Sequence, residues 1–171
     1  MLGGTRQSVR AGAPCPVTSR RVGLIADTHG LLRPAAVQAL RGSGLIIHAG
    51  DIGKAAVLDA LRTVAPVGAV RGNIDKGAWA HALPATEALQ IGQVWVYVIH
   101  DLQQLALDPE AAGFKVVVSG HSHQPSIREQ NGVLFVNPGS AGPRRFNLPV
   151  SVAIMVVQDA SVEVRLVGLD A

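Results

Sequence analysis

Five apolar runs in this chain each stop at a short polar turn, and every turn carries a side chain of the kind that binds metal ions. Residues 22–26 run into Asp27-Thr28-His29-Gly30, and residues 45–47 pass through His48-Ala49 into Gly50-Asp51. Residues 66–70 end at Arg71-Gly72-Asn73, residues 94–99 at His100-Asp101, and residues 115–119 at Gly120-His121-Ser122-His123. Short, continuous apolar runs bounded by turn residues read as buried strands. In an extended segment, side chains two apart point to the same side, so His121 and His123 are expected to reach one pocket.

The segments between these runs decide the architecture. Residues 32–40 and 54–62 place apolar side chains at helical spacing, with Pro34 near a helix start, where a missing N–H costs nothing. Strand, helix, strand, helix, strand implies right-handed parallel crossovers, and such sheets gather their ligand sites at the carboxyl ends of the strands. The second half reads as hairpins instead. Residues 86–91 and 93–99 turn about Gly92, residues 126–130 and 133–136 about Asn131-Gly132, and residues 151–157 and 161–167 around Asp159-Ala160. Residues 102–112 are predicted helical, interrupted near Pro109. The sum is an α/β fold: a four-layer α/β/β/α sandwich of two mixed β-sheets in a single domain.

Composition narrows the function classes. Apolar residues make up 48% of the 171 and aromatic residues only 4%, so the core is built mainly from Val, Leu, Ile and Ala. One cysteine, Cys15, excludes an internal disulfide or a thiolate-rich zinc site and fits a reducing, cytoplasmic setting. No apolar stretch approaches the roughly 20 residues that span a bilayer. Residues 1–21 hold four arginines and no acid, whereas the whole chain carries a formal +3, so the remainder is −1. The basic excess lies in a terminal segment, which argues against a nucleic-acid groove. Residues 1–20 read as a flexible basic extension ahead of a domain at 21–171. Ser19-Arg20-Arg21 is not read as an export signal, because cleavage after it would remove Asp27 and His29.

Collected from the strand ends, Asp27, His29, Asp51, Asn73, His100, His121 and His123 supply two carboxylates, an amide oxygen and four imidazoles. Seven ligands exceed one tetrahedral site but suit two ions that share a carboxylate. A mixed oxygen and nitrogen set without thiolate favours Mn²⁺, Fe, Zn²⁺ or Ni²⁺ over Ca²⁺ or Mg²⁺. Each residue also has a plainer reading. Asp27 or Asp51 can cap a following helix, Asn73 can occupy a left-handed turn, and His48 can be a packed histidine. His81 reads as surface, and the pair Arg144 and Arg145 reads as solvated, with steering of a phosphate as the alternative. The ordered occurrence at five strand ends favours the metal reading.

Asp27-x-His29, Gly50-Asp51, Gly72-Asn73, His100 and Gly120-His-x-His123 together resemble the calcineurin-like metallophosphoesterases. The chain length, the hairpin-rich second half and Asn137-Pro138-Gly139-Ser140 are similar to the small bacterial and archaeal phosphodiesterase branch. The resemblance spans about residues 21–167. It implies that Asp27, His29 and His123 hold one ion, that Asn73, His100 and His121 hold a second, and that Asp51 bridges them. It also implies a phosphodiesterase in which a hydroxide bridging two Mn²⁺ ions attacks phosphorus in line, with Asp51 and Asn73 at the reacting centre and Arg71 as a candidate phosphate contact. The partner would be a small phosphate ester, with no membrane and no nucleic-acid polymer; an exposed sheet edge offers a route to a homo-oligomer.

The sequence departs from that pattern twice. Ile74 stands where many larger members of the superfamily place a histidine thought to protonate the leaving oxygen, so the leaving-group acid is unassigned. Asp101 stands where the family usually has glycine, either facing solvent, the favoured reading, or orienting His100. The same branch also resembles the retromer subunit of eukaryotes, which implies an alternative, non-catalytic protein-interaction scaffold. Such scaffolds lack one or more of the imidazoles, whereas all seven positions are filled here.

Overall fold

A computed structural model describes residues 18–169. Its first sheet holds β1 (Ser19–Ile25), β2 (Leu45–His48), β3 (Val67–Ala69), β9 (Ser151–Gln158) and β10 (Ser161–Gly168), in the order β10-β9-β1-β2-β3. The second holds β4 (Thr86–Ile91), β5 (Val94–Ile99), β6 (Val116–Val118), β7 (Ser126–Gln130) and β8 (Val133–Asn137), in the order β4-β5-β6-β8-β7. Both sheets are mixed. β1, β2 and β3 pair in parallel, as do β5, β6 and β8, while the three expected hairpins β4–β5, β7–β8 and β9–β10 form antiparallel flanks.

The alternation of side chains fixes how the layers stack. Val22 and Leu24 of β1 and Ala153, Met155 and Val157 of β9 face Val94, Val96 and Val98 of β5 and Val116 and Val118 of β6, giving a dry aliphatic core between the sheets. The opposite face of the first sheet, including Ile25, Ile46, Val152 and Ile154, is covered by α1 (Pro34–Leu40) and α2 (Ala55–Arg62). A short α3 (Ala78–His81) adds Trp79 to the same layer. The outer face of the second sheet has thinner cover: Ile99, Val117 and Val133 pack against Leu102, Leu105 and Phe135.

That thin layer corrects the helix predicted over residues 102–112. Only Leu102–Gln104 forms a single 3₁₀ turn. The cause is Pro109, which has no N–H to continue a helix, clashes with the carbonyl four residues back at Leu105 and turns Asp108 from the α region. Asp101 and Asp108 each accept amides two or three residues on and so cap separate short turns. At the other end, β1 begins at Ser19 and pairs with Gln158 of β9, so Ser19 and Arg20 belong to the sheet. The remainder of the proposed extension, residues 1–17, lies outside the described residues.

Parallel pairing in the middle of each sheet positions the site. It sends the carboxyl ends of β1, β2, β3, β5 and β6 to one rim. Backbone hydrogen bonds continue past the strands there: Asp27 N–H donates to Gly50 O at 3.0 Å, His29 N–H to Asp51 O at 2.9 Å, and Gly120 N–H to His100 O at 2.9 Å. The polar turns are therefore held to one another, not free.

Candidate metal centre

The turns that follow these strands need backbone shapes that strands do not supply. Among the described residues, the non-glycine positions with positive φ include Asp27 (53°), His29 (47°), Asp51 (54°), His121 (67°) and His123 (59°). The left-handed region is uncommon outside glycine and clusters at functional sites. This also revises the reasoning for the His-x-His pair. His121 and His123 converge on one rim, but through two left-handed turns about a bend at Ser122, not through strand alternation. They also reach different neighbours: His121 Nδ1 lies 3.1 Å from Asn73 Oδ1, and His123 Nε2 lies 3.2 Å from His29 Nε2.

All seven residues come together. Asp27, His29 and His123 form one cluster of ligand atoms, and Asp27, Asp51 and His100 form another. Asn73 adjoins the second, its Oδ1 lying 3.0 Å from His100 Nε2. Asp51 stands between the groups, with Oδ2 4.0 Å from His29 Nε2 and Oδ1 3.3 Å from His100 Nε2. Asp27, which reaches both clusters, also accepts the His121 N–H from the other sheet at 3.1 Å. Neither aspartate is a helix cap, for Arg33 and Lys54 precede α1 and α2.

The electrostatics follow from burial and from the charges that face one another across the rim. Burial, with the Asp51 charge adding to it, pushes the Asp27 carboxyl up to about 7 even though the His100 charge opposes this. Burial drives His123 down to about 4 and lowers His29 as well, so both rings are neutral near pH 7. His123 Nδ1 is also buried without a hydrogen-bond partner. Burial opposes charge on His100, but the hydrogen bond with Asp51 and the carbonyl of Ala49 outweigh it and raise its pKa. The same pairing, with the Ile74 N–H, holds Asp51 low against the effect of burial. The carbonyl of Ala49, at 2.8 Å, can only accept, so His100 Nδ1 carries hydrogen and Nε2 is the atom turned to Asp51 and Asn73. Buried oxygens and imidazole nitrogens aimed at one another in this way fit divalent ions of borderline softness.

Residues outside the ligand set hold it in place. Asp75 accepts three backbone N–H groups, from Ile52 at 3.2 Å and from Gly53 and Gly72 at 2.8 Å each, tying the Asp51 turn to the Asn73 turn. It follows Ile74 in sequence and carried no assigned role; no residue-level signal separates it from an ordinary loop aspartate. His48, fully buried, accepts the Gly50 N–H at Nδ1 (3.2 Å) and so donates from Nε2 to Thr28 Oγ1 (2.9 Å), whose hydroxyl donates to Ile52 O. Asn137 donates to Gly120 O and Ser122 Oγ, which pins the His-x-His turn.

Asp101 does not orient His100 and is not fully solvated: its carboxylate caps the 3₁₀ turn and lies 3.9 Å from His121 Nε2. His121 is the outermost ring, its side chain 46% exposed. Arg71 lines a hollow of about 320 Å³ beside Asn73, His100 and His121, with one guanidinium N–H held by Leu83 O at 2.8 Å. His81 ends α3 and is exposed, as the sequence suggests.

The calcineurin-like phosphoesterase superfamily domain profile matches residues 21–160. This chain belongs to that superfamily. A probable metallophosphoesterase from Methanothermobacter thermautotrophicus is 33% identical over 162 residues, covering 88% of this chain and 93% of the relative. Among solved structures, an archaeal phosphodiesterase superposes with a TM-score of 0.73 at 21% identity, over 86% of this chain and 99% of that one. A Zn²⁺ complex of Vps29 from Entamoeba histolytica gives a TM-score of 0.68 at 23% identity, over 88% and 99% of the two chains. At those identities the superpositions establish the fold. Membership of the superfamily supports a hydrolase of phosphate esters that uses divalent metal ions, and the gathered side chains are of the right chemistry to hold them. No helix among the described residues is long and apolar enough to cross a membrane.

Proposed function

We propose that this protein is a dinuclear metal-dependent phosphodiesterase acting on a small phosphate ester, with Mn²⁺ as the favoured ion. The observation that carries the reading is the placing of Asp51 between two ligand groups, one oxygen towards His29 and the other towards His100. Asp27, His29 and His123 would hold one ion; Asn73, His100 and His121 would hold the other; Asp51 would serve both. When bound, such a pair acidifies water and offsets negative charge on phosphate oxygens.

The chain's own residues supply placement. The Ala49 carbonyl fixes His100 as an Nε2 ligand, and the Ile74 N–H steadies the Asp51 carboxylate at 3.1 Å. Arg71 lines the adjoining hollow, where a guanidinium is well matched to a phosphate oxygen. In the reaction a water oxygen bonds to phosphorus, the ester P–O bond opposite it breaks, and the products are a phosphomonoester and an alcohol. The leaving oxygen takes a proton in the end, yet Ile74 occupies the position from which a histidine would give it. Esters with acidic leaving groups are therefore the better substrates.

A scaffold of the Vps29 kind is the competing reading, favoured by the fold likeness and opposed by the complete ligand set. The test is hydrolysis of bis(p-nitrophenyl) phosphate by Mn²⁺-loaded protein and by Asp51→Asn. Turnover in the first and a loss of about 100-fold or more in the second is the expected result. Undiminished turnover by Asp51→Asn overturns the bridging role; activity that survives thorough chelation overturns the metal mechanism. Bound metal without turnover on any phosphate ester leaves the scaffold.

A further inference from the structure

Asp101 and His121 leave neighbouring strands side by side. β5 and β6 run parallel with Val98 opposite Val118, and Gly120 N–H donates to His100 O at 2.9 Å, so the residues that follow, Asp101 and His121, come opposite one another at the rim. Their side chains face each other there. Asp101 Oδ2 lies 3.9 Å from His121 Nε2, and the two residues line both the hollow that holds Arg71 and a second hollow, of about 420 Å³, shared with Gln124 and Arg128. The carboxylate is fixed from its own turn: Oδ1 accepts the Gln103 N–H at 3.0 Å, and Oδ2 accepts the Gln104 side-chain amide at 3.4 Å. Leu102 packs that turn onto the outer face of the second sheet.

The other end of the His121 ring faces the proposed ligands. Its Nδ1 lies 3.1 Å from Asn73 Oδ1, where His100 Nε2 also arrives at 3.0 Å, so Nδ1 is the nitrogen turned to the second group and Nε2 is left for Asp101. His100 has its own outer nitrogen held by the Ala49 carbonyl at 2.8 Å. His121, the outermost ring, has no backbone carbonyl on Nε2 among the described residues, and Asp101 is the carboxylate paired with it. The two ligand groups also differ in charge. The first has Asp27 to itself, the second has neutral Asn73 in that place, and Asp51 stands between them. A carboxylate that accepts one N–H of an imidazole fixes the tautomer and strengthens the other nitrogen as a donor.

We infer that Asp101 is a positioning residue for the second ion: it accepts the Nε2–H of His121, holds Nδ1 towards Asn73 and His100, and supplies negative charge that this group lacks. On loading, the 3.9 Å separation closes to a hydrogen bond. This role rests on the two-ion reading proposed above.

Two variants separate the carboxylate from the cap it also forms. Asp101→Ser keeps an oxygen for the Gln103 N–H but is too short to reach His121, whereas Asp101→Glu keeps a carboxylate and caps poorly. Calorimetric titration with Mn²⁺ reads stoichiometry and affinity. Proton–nitrogen spectra of the Zn²⁺-loaded, diamagnetic protein read the His121 Nε2–H, assigned by its loss in His121→Gln. Wild type is expected to bind two ions and to show that signal. Asp101→Ser weakens the second ion about tenfold or more, leaves the first unchanged and loses the signal to exchange with water, while Asp101→Glu keeps both. Wild-type affinity in Asp101→Ser overturns the inference and leaves the two-ion reading intact. If both variants weaken the ion, the spectrum decides: loss of the His121 signal in Asp101→Ser supports the inference, and its survival overturns it. Wild-type protein that binds one ion or none overturns the two-ion reading itself, and the role of Asp101 with it.

Discussion

His29 and His123, 94 residues apart, bring their Nε2 atoms to within 3.2 Å, and burial keeps both rings neutral near pH 7. Two neutral nitrogens at that distance share either one proton or one cation. Asp27, whose Oδ1 lies 3.5 Å from His123 Nε2, is pushed up to about 7, so near neutrality it holds a proton that a divalent ion must displace. Mn²⁺ affinity is therefore expected to rise by about tenfold or more per pH unit below pH 7, because His100, whose pKa is raised, must give up its Nε2 proton as well. The sign for stability follows. A raised carboxyl stabilises the metal-free fold below its usual 3.8, and that contribution is lost as pH rises through about 7. The Mn²⁺-induced rise in Tm is accordingly larger at about pH 8 than at about pH 6. Calorimetry in buffers of different ionisation enthalpy reads the released proton directly, and none released at pH 6.5 contradicts the Asp27 assignment.

The hydrogen bonds of Asp75 go to backbone N–H groups, and through Ile52, Gly53 and Gly72 it holds the Asp51 and Asn73 turns together while its charge is felt at His29. Removing it strands three backbone N–H groups, one of them belonging to buried Ile52. Asp75→Ala is expected to cost about 2–4 kcal/mol of stability and to weaken Mn²⁺ binding at least tenfold. Asp75→Asn is nearly as damaging, because an amide nitrogen would face an N–H donor. Retention of wild-type metal affinity in both variants refutes a positioning role.

His48 is neutral down to about pH 3, because burial strongly disfavours its charged form. A histidine held below its usual 6.5 stabilises the fold above that value and loses the contribution as pH falls towards 3. His123 acts in the same direction down to about 4. Stability of the metal-free protein should thus fall steeply on acidification from pH 6.5, and His48→Gln, which has no ring to charge, should flatten part of that slope. Urea unfolding across the range measures it; parallel profiles for the two proteins would argue against a buried neutral ring. At pH 7 the same variant is destabilised by about 1–3 kcal/mol through the lost Gly50 and Thr28 hydrogen bonds.

The strands and hairpins were legible because apolar runs and Asn131-Gly132 are local signals, and local signals fix local structure. The seven proposed ligands could be gathered from the sequence because residue type and strand-end position coincide, and the structure brings their side chains together. Two features were not legible. Left-handed backbone at Asp27, His29, Asp51, His121 and His123 comes from hydrogen bonds between turns far apart in sequence, such as Asp27 N–H to Gly50 O. The helix expected at 102–112 ends after one turn because Pro109 cannot accept a helical neighbour at Leu105 or Asp108, and Asp101 and Asp108 cap two separate turns, a break that apolar periodicity does not register.

Gly50 lies against the His100 ring and the turn that carries Asn73, where a side chain has no room. Its φ is +95°, and a Cβ there would lie 2.7 Å from His100 Nδ1 and 2.9 Å from Gly72 N. Gly50→Ala would therefore push His100 off the Ala49 carbonyl that fixes its orientation. The expected outcome is a fall in Mn²⁺ stoichiometry from two per chain towards one, as the group of Asn73, His100 and His121 loses its geometry. Gly132→Ala provides the control, because Gly132 has φ of +74° with nothing within 4 Å of an added Cβ. It carries the backbone strain alone, about 1–2 kcal/mol, and keeps both ions. Metal analysis after gel filtration distinguishes the two variants. Equal metal content would mean that His100 can shift without losing its ion, and that the Ala49 contact is not what holds the second site in shape.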